Sequence, residues 1–178
     1  MKNIKVLDLG CGKKKSPGAI GVDFNKNSDA DIIHNLDQFP YPFKNEEFDY
    51  CIMDNALEHL QDPIKVLEEI YRILKKNGKL KIVVPYFRSV WAYIDPTHKN
   101  FFTVDSFMYF DPNNFYFNNV QYTRATFQIT KVIFNENLKN SFLKKILILF
   151  ANKYKHFYEY NLSHLFPLDD ITFYLVKI

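Results

Sequence analysis

The spacing of apolar and polar positions changes period along this chain, and the changes mark its elements. Residues 4–9 form a mainly apolar run of the kind a parallel strand covered on both faces requires. Residues 19–24 read as a second strand, Asp31 to Asn35 as a third, and Phe48 to Asp54 as a fourth. Only Lys13 to Gly18 separate the first two, too short and too broken by Pro17 and Gly18 for a crossover helix. A helical period follows Asp62, with Pro63 suited to a first turn and Ile64, Leu67, Ile70 and Leu74 on one face. Asn77-Gly78 reads as its stop signal. Lys79 to Pro85 then supplies a fifth strand and Phe127 to Phe134 a sixth. Residues 138–157 carry a helical stripe of Phe142, Ile146, Leu149 and Phe150, and Ile171 to Ile178 make a final strand. Strands alternating with helical stretches, without an internal repeat or a linker, predict one doubly wound α/β domain over residues 1–178.

Composition narrows the class. With 178 residues, 47% of them hydrophobic, the chain can bury a sizeable core. No apolar run reaches membrane-spanning length and no signal-peptide pattern opens the chain, so the expected setting is cytoplasmic. The two cysteines, Cys11 and Cys51, make no metal-ligand spacing, and no metal is expected. A net charge of +3, not gathered into one long patch, argues against a nucleic-acid partner. The helix near 138–157 carries Lys144, Lys145, Lys153 and Lys155 beside its stripe. Packing on its own domain is the first reading, and peripheral membrane contact stays open.

The chemistry is signalled where strands end. Val6-Leu7-Asp8-Leu9 runs into Gly10-Cys11-Gly12, and Gly21-Val22 into Asp23. Open α/β sheets present a nucleoside in this manner, with backbone at the first strand end and a ribose-binding carboxylate at the second. Two further signatures follow: Phe48-Asp49 leading to Ala56-Leu57-Glu58-His59-Leu60, and Ile70 to Gly78 with Arg72-Ile73-Leu74-Lys75 at its centre. Together, and in this order, they resemble class I S-adenosylmethionine-dependent methyltransferases of the small, ubiquinone-methyltransferase-like (type 11) kind.

The resemblance implies a Rossmann-like seven-stranded sheet, mostly parallel with an antiparallel last strand. It implies S-adenosylmethionine as cofactor, lying across the C-terminal strand ends in the half formed by residues 1–85. Residues 86–178 would form the acceptor-side half, with a helical insertion at about 138–166. By position, Asp8, Gly10 and Gly12 would border the methionine moiety, with Cys11 in the same turn, and Asp23 would bind the ribose beside Phe24. Asn35 and Leu36, or else Asp37, would stand beside adenine. Asp54 and Asn55 would face the donor's methionine end and the acceptor. One departure is plain: Lys13, Lys14 and Lys15 stand where the family has a third glycine and a helix N-terminus. These lysines either assist the donor carboxylate or lie solvated on a surface turn.

Methyl transfer needs alignment more than acid–base machinery, and no nucleophilic triad is visible. The segment from Pro85 to Lys99 follows the fifth strand and holds Arg88, Trp91, Asp95 and His98. His98 is the candidate base, oriented by Asp95; the alternative is a capped turn whose side chains bond backbone. Glu58 and His59 either border the pocket or cap locally, and His34 reads as a satisfied strand histidine. The aromatic stretch from Phe101 to Phe117 reads as core, with an acceptor-pocket wall as the alternative. The expected function is methyl transfer to an oxygen or nitrogen of a small molecule. The alternatives are an RNA- or protein-directed methyltransferase and a non-catalytic binding module. A nicotinamide dehydrogenase fits poorly, because Lys15 occupies the third glycine position.

Overall fold

A computed structural model describes residues 4–136 and 142–178. Its strands are β1 Val6–Leu9, β2 Ile20–Asp23, β3 Ile32–Ile33, β4 Phe48–Asp54, β5 Leu74–Pro85, β6 Phe127–Phe134 and β7 Asp170–Lys177. They form one sheet in the order β3-β2-β1-β4-β5-β7-β6. The first five pair in parallel, and β7 runs antiparallel between β5 and β6. The predicted mostly parallel, seven-stranded α/β sheet with an antiparallel last strand is therefore the fold. The helices are α1 Pro63–Ile73, α2 Trp91–Ile94, α3 Phe115–Val120, α4 Phe142–Lys153 and α5 Lys155–Asn161. None among the described residues is long and apolar enough to cross a membrane.

The chain enters at β1, steps outward to β2 and β3, then returns to β4 on the other side of β1. That reversal opens a crevice at the C-terminal ends of β1 and β4, where such sheets hold ligands. No helix covers the β1–β2 crossing, as the short Lys/Pro/Gly connection predicts. Other contacts brace it. Asp8, 3% exposed, accepts the Ser16 amide at 2.7 Å. Lys15 pairs with Asp31 at 2.8 Å, and its methylenes lie over Gly21. Lys15 therefore packs and pairs on the sheet edge, whereas Lys13 and Lys14 are exposed.

Helix α1 starts as predicted. The Asp62 carboxylate accepts the amides of Ile64 and Lys65, each at 3.1 Å, and Pro63 opens the first turn. It ends earlier than the Asn77-Gly78 signal, at Ile73. Leu74 is fully buried and extended, pairing with Phe48, so sheet pairing captures the chain before the local stop signal acts. The register then shifts across residues 75–78, where Asn77 takes a left-handed φ of 61°. The buried face is Val66, Leu67, Ile70 and Ile73, with Ile64 at its margin.

The largest difference concerns 138–157. Residues 138–141 lie outside the described set, and the rest divides into α4 and α5. Leu147, Ile148 and Ala151 pack inward, while Phe142, Ile146, Leu149 and Phe150, the predicted stripe, face out. Core contacts of a single side of the helix won over the wider apolar period. The aromatic stretch packs mostly as core: Phe107 meets Phe173 at 4.6 Å between ring centres, and Phe102 and Phe110 are buried nearby. Phe101, Phe115 and Tyr116 remain exposed.

Candidate functional site

Two adjoining pockets open at the strand C-termini. The larger, about 770 Å³, is lined at one end by Gly10, Gly12, Asp23 and Phe24, and beyond them by Asn35, Leu36 and Asp37. The smaller, about 380 Å³, is lined by Glu58, Pro85, Trp91, Ile94 and His98, with Asp95, Asp169 and Asp170. Asn55 and His59 line both.

The first strand ends in a turn that only glycine suits. Gly10 has φ +75°, and a Cβ there would lie 2.4 Å from that of Ala56. The Gly10 amide donates to the Val22 carbonyl at 2.8 Å, locking the turn to β2. Asp23, 8% exposed, accepts the Gly12 amide on Oδ2 at 2.9 Å and the Asn25 amide on Oδ1 at 2.8 Å. Each carboxylate oxygen keeps a further lone pair, so Asp23 braces the glycine turn and still has capacity for ribose hydroxyls. Nothing lies within 4 Å of a Cβ built on Gly12, so the turn borders open space. These features fit a nucleoside with an amino-acid tail, and they rest on residues the sequence singled out.

Three predicted donor residues stand elsewhere. Asp8 is buried under the crossing, where its carboxylate holds Ser16. Cys11 is buried against Gly21, and its thiol is pushed up to about 11, chiefly by burial. Asp54 turns to accept the Asn55 side-chain amide at 2.7 Å. Strand alternation is the reason for Asp8: its side chain points to the face opposite Leu7 and Leu9. Asn35, Leu36 and the alternative Asp37 all line the larger pocket, so that choice is between neighbours. Asn55 holds a left-handed φ of 52° at the end of β4, a conformation asparagine tolerates, with its amide on the Val83 carbonyl.

The acceptor-side loop serves both pockets. Trp91, Ile94, Asp95 and His98 face the smaller, while Pro96, Thr97 and Lys99 face the larger. Arg88 is elsewhere, over the Phe87 ring. Asp95 does not orient His98. Its Oδ1 accepts the Thr97 amide at 2.8 Å and the Thr97 hydroxyl at 2.7 Å, which together hold the carboxyl below its usual range. Thr97 Oγ1 in turn lies 2.8 Å from His59 Nδ1. Since that hydroxyl spends its proton on Asp95, His59 Nδ1 must be the donor, leaving the Nε2 lone pair free. His98 Nδ1 lies 3.0 Å from the Ala92 carbonyl, which only accepts, so the His98 lone pair is also on Nε2. The correction follows from turn geometry: three residues apart in a capped turn, Asp95 reaches Thr97 first, and its influence passes to His59. His34 is satisfied locally, Nε2 on the Gln38 carbonyl at 2.9 Å.

Glu58 is the residue that pattern reading undervalued. It is 1% exposed, and neither carboxylate oxygen has a hydrogen-bond partner among the described residues. Burial, reinforced by Asp54 and Asp95, pushes its carboxyl up to about 7. The His59 and His98 rings meet edge to face at 4.6 Å, and burial, with His98 beside it, lowers the His59 pKa. The Glu58-His59 dipeptide was the available signal, but nothing in the sequence tied it to His98, 39 residues later.

A family model described as a methyltransferase domain matches residues 7–82. An uncharacterized protein of Methanocaldococcus jannaschii is 31% identical over 138 residues, covering 65% of this chain and 60% of that protein. A demethylmenaquinone methyltransferase of Listeria monocytogenes is 27% identical over 136 residues, 57% of each chain. The chain thus spans about 60% or less of the length of these curated relatives. Among solved structures, a SAM-dependent methyltransferase from Archaeoglobus fulgidus superposes with TM-score 0.60 at 18% identity, over 99% of this chain and 87% of that one. The YcgJ protein of Bacillus subtilis gives 0.59, also at 18% identity, over 98% and 92%. The glycine turn, the Asp23 carboxylate and the matched methyltransferase domain lie in one N-terminal half, and the whole chain has the fold of these S-adenosylmethionine-dependent methyltransferases.

Proposed function

We propose that this protein transfers a methyl group from S-adenosylmethionine to an oxygen or nitrogen atom of a small-molecule acceptor. The observation that carries the reading is the pair of adjoining pockets, one beside Gly12 and Asp23 and one beside Trp91 and His98, with Asn55 and His59 at their seam. The donor supplies an electrophilic methyl on a sulfonium, which departs as a neutral thioether. What remains for the protein is to hold two molecules in line and exclude water, an effect worth roughly 7–11 kcal/mol at its best.

Donor binding is assigned to Gly10, Gly12 and Asp23, with Phe24, Asn35, Leu36 and Asn55 around them. The acceptor is assigned to the smaller pocket, against Trp91 and Ile94. His98 and Asp95 act there as the acceptor-side polar pair, Asp95 through Thr97 and His59 and His98 directly. The size of that pocket, about 380 Å³, supports a small acceptor over a macromolecule. The Listeria relative, named for demethylmenaquinone, is a small-molecule methyltransferase by that name and points the same way.

Calorimetric titration with S-adenosylhomocysteine tests the donor half: one equivalent should bind, and no detectable heat would remove the reading. Transfer of a labelled methyl group to a panel of hydroxyl and amine compounds tests the acceptor half. Label found only in RNA or protein would replace the small-molecule assignment. Tight donor binding with no transfer to any class would make the protein a binding module.

A further inference from the structure

One oxygen of Glu58, one nitrogen of His59 and one nitrogen of His98 lie within 4.8 Å of one another. Three independent features of this group point to a cation. First, the hydrogen bonds to Thr97 and Ala92 turn both imidazoles so that each has its lone pair on Nε2. Metal-binding histidines are fixed in this manner, one ring nitrogen donating to an oxygen while the other ligates. The His59 link is itself backed by the Asp95 carboxylate at 2.7 Å from Thr97 Oγ1. Second, Glu58 is almost fully buried with both oxygens unpartnered among the described residues, so its charged form costs free energy until a positive group meets it. Third, the pocket around the group is lined by Glu58, Asp95 and Asp170, with Asp169 already paired to Lys144, and by no lysine or arginine.

We propose that Glu58, His59 and His98 bind one divalent transition-metal ion at the seam of the two pockets. Two imidazoles and one carboxylate suit zinc, iron(II), manganese or cobalt, and leave positions open for an exogenous oxygen ligand. Bonds of roughly 2.0–2.1 Å place neighbouring zinc ligands about 3.3 Å apart, so side-chain rotation closes the present gap. Resting on the methyltransferase reading, the open positions face the acceptor, which is then a molecule carrying a hydroxyl or other oxygen donor. Coordination there would lower the hydroxyl pKa so that its proton passes to solvent; the oxygen then bonds the donor methyl as the methyl–sulfur bond breaks and the sulfonium leaves as a neutral thioether.

The test uses the full chain after chelator treatment, titrated with Zn²⁺ and separately with Co²⁺. Wild type should bind one equivalent with a micromolar or tighter Kd. Glu58→Gln and His98→Gln should each weaken binding at least tenfold, and His164→Gln, an exposed histidine elsewhere, should not. Absence of binding, or equal affinity in all variants, overturns the proposal. Should the variants fail to fold by circular dichroism, imidazole ¹⁵N spectra of the wild type decide the matter. Zn²⁺ should shift Nε2 of two histidines and leave their Nδ1 protonated; no shift, or shifts at Nδ1, overturns it. Parallel titration with S-adenosylhomocysteine separates the two readings: donor bound without metal sinks only the metal site, and metal bound at these residues without donor sinks only the methyltransferase reading.

Discussion

Gly10 and Ala56 approach so closely that a methyl group on the glycine would lie 2.4 Å from the alanine Cβ. The contact joins the end of β1 to the end of β4, and so sets the width of the crevice between them. Gly10→Ala should destabilise the fold by about 2–5 kcal/mol, combining a left-handed backbone penalty of about 1–2 kcal/mol with overpacking of about 1–3. Urea unfolding of the two proteins measures it; a change under about 1 kcal/mol would mean that the strand ends separate freely.

Asp23 braces the glycine turn and faces the larger pocket with the same carboxylate. Asp23→Asn places an amide NH₂ against one of two backbone N–H donors, at Gly12 or Asn25. Losing a charged hydrogen-bond acceptor costs about 1.5–3 kcal/mol, so S-adenosylhomocysteine affinity should fall roughly 10- to 100-fold. Unchanged affinity by calorimetry would place the ligand away from β2.

Arg72 ties the aromatic-proline loop to α1. It donates to the carbonyls of Tyr41 and Phe43, to Asn45 Oδ1 and to Glu69, whose carboxylate also accepts the Tyr41 amide. Arg72→Ala leaves the nearly buried Glu69 without its counter-charge and the Phe43 carbonyl without its donor, while the Tyr41 carbonyl keeps the Phe43 amide. A loss of about 2–3 kcal/mol is expected in chemical unfolding, with Arg72→Lys recovering only part because an ammonium lacks the fork.

Asp170 predicts a pH effect of known sign. Burial, with Asp169 beside it, pushes its carboxyl up to about 6, and one oxygen has no partner among the described residues. The fold favours the protonated form, so this stabilisation is complete below about pH 4 and is lost as pH rises through 6. In chelator-treated buffer, Asp170→Asn should match wild type at pH 4 and exceed it at pH 8, by about 1 kcal/mol once partial exposure is allowed for. Equal stability of the two proteins at both values would refute the assignment.

How far the sequence reached depended on whether a signal was local. The apolar runs of β1, β4 and β6, the Asp62-Pro63 start of α1 and the helix-free β1–β2 crossing are encoded within a few residues, and each stands where the pattern placed it. Gly10, Gly12 and Asp23 were legible for the same reason: backbone freedom and a strand-end carboxylate are properties of the residue and its neighbours. The early end of α1 was not, because Leu74 is drawn off by Phe48 from another strand. Nor was the outward stripe of α4, since which side of a helix is covered depends on what β6 presents to it.

Sequence alone therefore determined the sheet and the glycine turn that ends its first strand, since strand periodicity and glycine turns act over short distances. Tertiary structure decided which polar groups share the second pocket. His59, Thr97 and Asp95 became one hydrogen-bonded chain, and His98 came to face Glu58, only because β5 and its following loop fold back over the end of β4. Side-chain chemistry across 39 residues is set by that folding, and no spacing rule along the chain encodes it.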